Sequence, residues 1–315
     1  MALVRIGVRA RPKVRAVAKR TTVNIGRIGI WTGVLDGHPT SVAQDAARQI
    51  EAMGYGALWI PEAVGRDPMV SAANLLNATS TLAIATGIAN IYARDPMTMV
   101  SGQRTLAEAY QNRFLLGMGV SHWHLVEHLR KHSYDKPLSY MRAYLAAMEK
   151  SLFMAVGPDE DPGCVLAALG PKMLELAATQ TAGAHPYFVP VEHTADARKV
   201  MGPDALLAPE QKVVLESDPV VARGIARKGM EVYLRAPNYV NNLKRYGYTD
   251  EDVANGGSDR LVDAIVAWGD VDAAAARVRA HLDAGADHVC IQVLQADARA
   301  LPMEGWKAMA GALLG

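Results

Sequence analysis

The pattern that most restricts this chain occurs twice, near opposite ends. Met53-Gly54-Tyr55-Gly56-Ala57-Leu58-Trp59-Ile60 matches Ala284-Gly285-Ala286-Asp287-His288-Val289-Cys290-Ile291 in character: helix end, glycine stop, buried strand. Before the first, Val42, Ala46, Ile50 and Met53 recur at spacings of four and three, which places them on one helix face. Before the second, Ala275, Val278 and Leu282 share a face behind a capping Asp270 or Asp272. Helices joined to buried strands by short loops imply parallel strands with helical crossovers.

One more apolar run precedes these two and five lie between them. The apolar runs 27–31, 58–60, 82–88, 114–118, 165–168, 187–189, 212–215 and 289–294 make eight expected strands. Eight strands with intervening helices favour an α/β fold closed as a (β/α)8 TIM barrel over an open doubly wound sheet. The stretch Tyr239 to Gly257, rich in Asn, Asp and Gly, reads as a helix and loop inserted before the last helix and strand, at the mouth.

Composition agrees with one large domain, 26–315, preceded by a basic extension, 1–25. The chain of 315 residues is half hydrophobic, with a net charge of +1 that gives no reason to expect nucleic acid across the whole surface. Two distant cysteines, Cys164 and Cys290, fit a reducing cytoplasm and no disulfide framework. No apolar run reaches the roughly 18 residues of a membrane span. The extension carries Arg5, Arg9, Arg11, Lys13, Arg15, Lys19 and Arg20 without an acid. It lacks the apolar stretch of a secretory signal. Disorder is the expectation there, a cationic arm for nucleic acid or anionic lipid the alternative.

In a barrel the chemistry sits where strands end. Gly117-Met118-Gly119-Val120-Ser121-His122 begins like a dinucleotide fingerprint, but its sixth position is His and no acid follows at the expected distance. A G-x-S-x-G hydrolase elbow is absent. His124, His128 and His132 have the spacing of some zinc ligands, yet Arg130 and Lys131 interleave them, so a solvated helix face without metal is expected. His122 differs because it closes the fourth strand. Glu62 leaves the second strand, either as an active-site acid or in an ion pair with Arg66 or Arg94. His185 stands before Pro186, touching a ligand or capping the strand entry. Trp59 reads as core; Trp31 is core or cofactor platform.

Together, Gly29-Ile30-Trp31, the 53–62 segment ending Pro61-Glu62, and Arg113-Phe114-Leu115-Leu116-Gly117-Met118-Gly119-Val120-Ser121-His122 resemble the luciferase-like monooxygenase family. More narrowly they resemble its actinobacterial oxidoreductases that use the deazaflavin coenzyme F-420. Leu169-Gly170-Pro171-Lys172-Met173, Ala182-Gly183-Ala184-His185-Pro186-Tyr187 and Pro237-Asn238-Tyr239-Val240-Asn241-Asn242-Leu243 strengthen the match. The resemblance implies a (β/α)8 barrel with coenzyme F-420 across the strand ends, or FMN as the alternative. It implies a cis peptide between Ala89 and Asn90 behind the ring. Cofactor contacts are implied from Trp31, from Gly119, Val120, Ser121 and His122, from Leu169 to Met173, and from Ala182, Gly183 and Ala184. A cytoplasmic homodimer acting on a small molecule is the corresponding expectation. The family's sugar-phosphate dehydrogenases have Asp-His after the second strand and Glu after the fourth; here Glu62-Ala63 and His122 stand there. The expected reaction is therefore hydride transfer with an unidentified small substrate, His122 being the first choice for the proton and Glu62 and His185 the second. The rivals are an FMN-dependent monooxygenase, a catalytically silent deazaflavin-binding barrel and a zinc hydrolase.

Overall fold

A computed structural model of the chain describes residues 20–315. It begins with β1 (Ile28–Trp31), α1 (Thr40–Ala52), β2 (Ala57–Ile60), α2 (Pro68–Ala78), β3 (Ala83–Thr86), β4 (Ala89–Asn90), α3 (Pro96–Ala109) and β5 (Phe114–Gly119). Next come α4 (Pro137–Glu149), β6 (Cys164–Leu166), α5 (Pro171–Gln180), β7 (Gly183–Ala184), α6 (Val191–Met201), β8 (Leu206–Leu207) and β9 (Glu210–Val214). The chain closes with α7 (Pro219–Leu234), α8 (Pro237–Arg245), α9 (Asp250–Val253), α10 (Asp259–Ile265), β10 (Val266–Trp268), α11 (Val271–Asp283), β11 (Val289–Val293) and α12 (Met303–Leu313).

Every strand pairing is parallel. The order β10-β9-β11-β1-β2-β3-β5-β6-β7-β8 makes one curled sheet, with β4 added on β5. Segment 206–214 has neighbours on both edges. β7 pairs with its start and β11 with its end, and Ala208 N donates to Ala184 O while Cys290 N donates to Pro209 O.

The repeated unit folds as its pattern requires. Gly54 and Gly285 end α1 and α11 at φ of 89° and 103°, a region that penalises any side chain. Asp270, not Asp272, caps α11, accepting from Ala273 N at 2.8 Å. Strand side chains alternate. Ile28, Ile30, Leu58, Ile60, Ile84, Leu116, Met118, Leu166 and Ile291 face the helices. Trp31, Ala57, Trp59, Ala83, Ala85, Leu115, Val165 and Cys290 face the lumen.

Several expectations need correction. Residues 187–189 are not a strand; the sixth barrel position is taken by β7, only two residues long. Pro186 and Pro190 offer no N–H to a ladder and Phe188 sits at φ 59°, so the chain turns away there. Strands β8 and β10 were not anticipated, and the segment expected as an insertion, with α8 and α9, precedes two helix–strand pairs rather than one. The cis peptide lies between Gly87 and Ile88, not Ala89 and Asn90. Ala89 and Asn90 instead form β4, in ladder register with Met118 and Gly119. The expected basic extension lies outside the described residues up to Lys19. Arg20 to Ile25 lie against the sheet: Thr21 Oγ1 donates to Pro162 O at 2.6 Å, and Val23 and Ile25 are buried in the lumen cluster.

Candidate active site at the strand ends

The lumen beneath the site is filled on one side by large and polar residues. Trp59 stacks on His185, with centroids 4.3 Å apart, and donates its indole N–H to His288 Nε2 at 3.0 Å. His288 Nδ1 donates to Gly26 O at 2.9 Å. Lys212, fully buried, meets Glu210 at 3.0 Å and lies 3.9 Å above the Tyr187 ring and 4.7 Å from that of Tyr233. Burial pushes the Glu210 carboxyl up and the Lys212 ammonium down, and each partner opposes the other's shift. Small residues such as Gly29 face this wall; a Cβ on Gly29 would lie 2.8 Å from the His288 ring.

His185 belongs to this packed wall. Its Nδ1 donates to Ala208 O at 2.7 Å, while the buried Nε2 has no partner among the described residues. Desolvation lowers it to about 4, so the ring is neutral. Trp31 also faces inward, donating to Gly87 O at 3.0 Å. A Cβ on Gly87 would come within 2.7 Å of Trp31 Nε1 and 3.0 Å of His185 Nε2, so only glycine fits there.

From Trp31 a row of rings climbs out of the lumen. Trp31 to Tyr187 is 4.9 Å, Tyr187 to Tyr239 6.2 Å, and Tyr239 to His122 5.5 Å. The row is tied by Tyr187, whose hydroxyl meets Tyr233 Oη at 2.6 Å and Gln292 Oε1 at 2.7 Å. His122 stands at its outer end, half-buried, just past β5. Its Nδ1 is 3.1 Å from Asn238 Oδ1, on the first turn of α8. Burial lowers its proton affinity, Asn238 pulls it back up and His124 adds a small lowering. Ser121 precedes it at φ 56°, its carbonyl accepting from Tyr134 Oη at 3.2 Å.

The remaining expected site residues divide. Glu62 is a structural acid: Arg94 meets it with both guanidinium nitrogens, at 2.8 and 2.9 Å, Arg130 lies at 3.6 Å, and Asn90 N donates to it at 2.7 Å. The ion-pair reading is thus the one seen, with Arg94; Arg66 bonds His38 O instead. Asn90 Oδ1 accepts from Tyr92 N, fixing that turn. Ala89 and Ala184 face the helices rather than the lumen. Gly183 is demanded by its neighbour strand, since a Cβ would lie 1.9 Å from Leu206 O; a Cβ on Gly119 would lie 2.7 Å from Ile88 and 3.1 Å from Ala167. Val120 packs on the helix-side core, and Ala182 is buried on the lumen side. Of the histidine run, His124 and His128 lie on a single π-helical turn, 124–129, and His132 lies beyond it. Among the described residues no three His, Cys, Asp or Glu side chains gather as metal ligands.

Leu169 to Met173 make a second polar focus at the same face. Gly170 starts α5 without a side-chain cap, Pro171 is its first residue and Lys172 is exposed. Arg245 Nη1 reaches Asn242 Oδ1 at 3.2 Å and Leu169 O at 3.4 Å; His193 Nε2 donates to the same carbonyl at 2.9 Å. Asn242 Nδ2 is buried with no partner among the described residues. An uncapped helix start, two cationic side chains and an unused amide donor together suit a phosphate. Sequence reasoning missed Asn238, Asn242 and Arg245 as individuals, although 237–243 carries part of the resemblance.

The architecture has known counterparts. An F-420-dependent secondary alcohol dehydrogenase, solved with an adduct of that coenzyme and acetone, superposes with TM-score 0.76 at 14% identity, covering 92% of this chain and 98% of that one. The coenzyme F-420-dependent tetrahydromethanopterin reductase of Methanopyrus kandleri gives 0.74 at 15%, covering 93% and 99%. The FMN-bound oxygenating component of 3,6-diketocamphane monooxygenase from Pseudomonas putida gives 0.64 at 14%, covering 90% and 96%. No curated protein matches the sequence. At these identities the likeness establishes the fold alone. The luciferase-like monooxygenase model, however, matches residues 27–288, most of the chain. Curled parallel sheet, helical crossovers and that match together place this protein in the luciferase-like monooxygenase family.

Proposed function

We propose that this chain is a (β/α)8-barrel oxidoreductase that moves a hydride between coenzyme F-420 and a small organic substrate at the mouth bounded by His122, Asn238 and Tyr239. The observation that carries it is His122. Its ring is half-buried and neutral-leaning, held through Nδ1 and free at Nε2 among the described residues. An imidazole so placed is suited to exchange a proton with a reacting oxygen. Bound deazaflavin supplies a ring carbon that accepts or gives a hydride. The chain's own part is to hold the coenzyme's phosphate with the start of α5, Lys172, Asn242 and Arg245, and to offer the row Trp31, Tyr187, Tyr239 as an apolar wall. Glu62 works through Arg94 and Asn90 to keep the β4 turn in place.

The FMN reading rests on the same fold being used with FMN in a structural neighbour. Spectroscopic titration of purified protein separates the two. Micromolar-range binding of F-420, with NADPH unable to replace it, is expected. Tight binding of FMN with indifference to F-420 overturns the assignment.

A further inference from the structure

The geometry points to Asn238 as a positioning residue that fixes the proton of His122 on Nδ1, making this imidazole a base for an alcohol. The inference rests on the hydride-transfer reading above and adds a substrate class and a direction to it. Asn238 presents its amide oxygen, which can only accept, 3.1 Å from Nδ1, and in this arrangement the hydrogen belongs on Nδ1. A neutral imidazole has one N–H. Nε2 is then a bare lone pair, and it has no hydrogen-bond partner among the described residues.

The surroundings keep the ring neutral. Facing it are Asn238 and Tyr239 from α8 and His124 from the π-helical turn; the neighbouring Ser121 carbonyl is engaged by the Tyr134 hydroxyl. Among the described residues no carboxylate pairs with His122, so nothing anionic favours the imidazolium. The amide still accepts from Nδ1 once the ring is charged, and so supports it as it takes up a proton.

A neutral base suits a substrate that has a proton to lose. The O–H bond of a carbinol breaks toward Nε2 and its C–H bond delivers two electrons and the hydrogen, as hydride, to F-420. The carbon–oxygen bond becomes a carbonyl, and the proton on Nε2 passes to solvent. Carbonyl reduction would have to begin from the imidazolium, which this setting disfavours. Oxidation should therefore rise with pH through the His122 titration and level off above it.

Two measurements test this. Long-range proton–nitrogen NMR on protein labelled at histidine nitrogens, with His122 assigned by its loss in His122→Gln, reads the tautomer without any coenzyme. Nδ1–H is expected in the native protein, and a shift toward Nε2–H in Asn238→Leu. A native Nε2–H tautomer overturns the proposal. With F-420 and a panel of small secondary alcohols, Asn238→Leu should lower kcat by about tenfold and leave KM and coenzyme affinity within about twofold. Asn238→Asp, by favouring the imidazolium, should move the acid limb of the pH profile upward. Unchanged kcat in the first and an unmoved limb in the second overturn it. Should the protein bind no F-420, the functional reading fails, while the tautomer measurement still decides the role of Asn238.

Discussion

Lumen and mouth hold their polar groups in opposite ways. Below, Lys212 is wholly buried, ion-paired to Glu210 and walled by rings, and His288 uses both nitrogens. Above, His122 uses one nitrogen and leaves the other open, and Asn242 keeps an unused donor beside Arg245. Burying a polar group without a partner costs a few kcal/mol, so a closed interior spends most of its polarity on itself, with His185 Nε2 the exception in the lumen among the described residues. Capacity to bind something else survives only where partners were left out. The lumen's charges are thus read as architecture, and the mouth's as chemistry.

The strongest way to break this contrast is acid. Burial lowers His185, His193 and His288 to about 4 and His281 to about 3, against an unfolded value of about 6.5. Because these folded values lie below the unfolded one, the unfolded chain takes up protons that the native chain refuses. Stability is therefore full above about pH 6.5 and falls as pH drops toward the folded values, by up to about 1.4 kcal/mol per pH unit for each histidine. Urea midpoints measured between pH 7 and 5 should drop steeply. A flat profile means water reaches these buried rings, His185 and His288 beside Trp59 in the lumen and His193 and His281 on α6 and α11.

Next in size is the buried pair. Lys212→Met strands Glu210 in the lumen and should cost about 3–5 kcal/mol in denaturant unfolding, whereas adding Glu210→Gln should restore much of it. A single-mutant cost below about 1 kcal/mol would mean that the Phe188 N–H, 3.3 Å from Glu210 Oε2, or water suffices to hold the carboxylate. The smallest free-energy change sharpens the other side. His122→Ala should lower turnover by at least about tenfold, with coenzyme affinity changed much less and stability within about 0.5 kcal/mol. If affinity falls while turnover at saturating coenzyme persists, His122 is a packing group and the proton belongs elsewhere.

Much of the frame was legible because its signals are local. The glycine stops at 54 and 285 and the apolar faces of α1 and α11 follow from backbone sterics and helix period alone. β7 was not, since two residues cannot show a period and the apolar run after it, 187–189, lies between prolines. β10 follows α10 without a break, hiding its start. At the site, His122 was visible from its position after a strong strand. Its partner was not, because Asn238 lies 116 residues away and only the fold brings them together. The lumen pair carries its own cue in the sequence: Glu210 and Lys212, two apart in a strand, share a face with Val214.

Val23 and Ile25 sit against the strand starts, packed into the lower lumen, with Thr21 fastened to Pro162. Val23 and Ile25 thus floor the interior at the strand starts, opposite the mouth at the strand ends. Coenzyme and substrate would enter from the same side, so whichever lies deeper has to arrive first and leave last. Steady-state kinetics would then show compulsory order rather than random access. A surface tether attached just before Arg20 would meanwhile hold the molecule by its underside, with the mouth facing the solution.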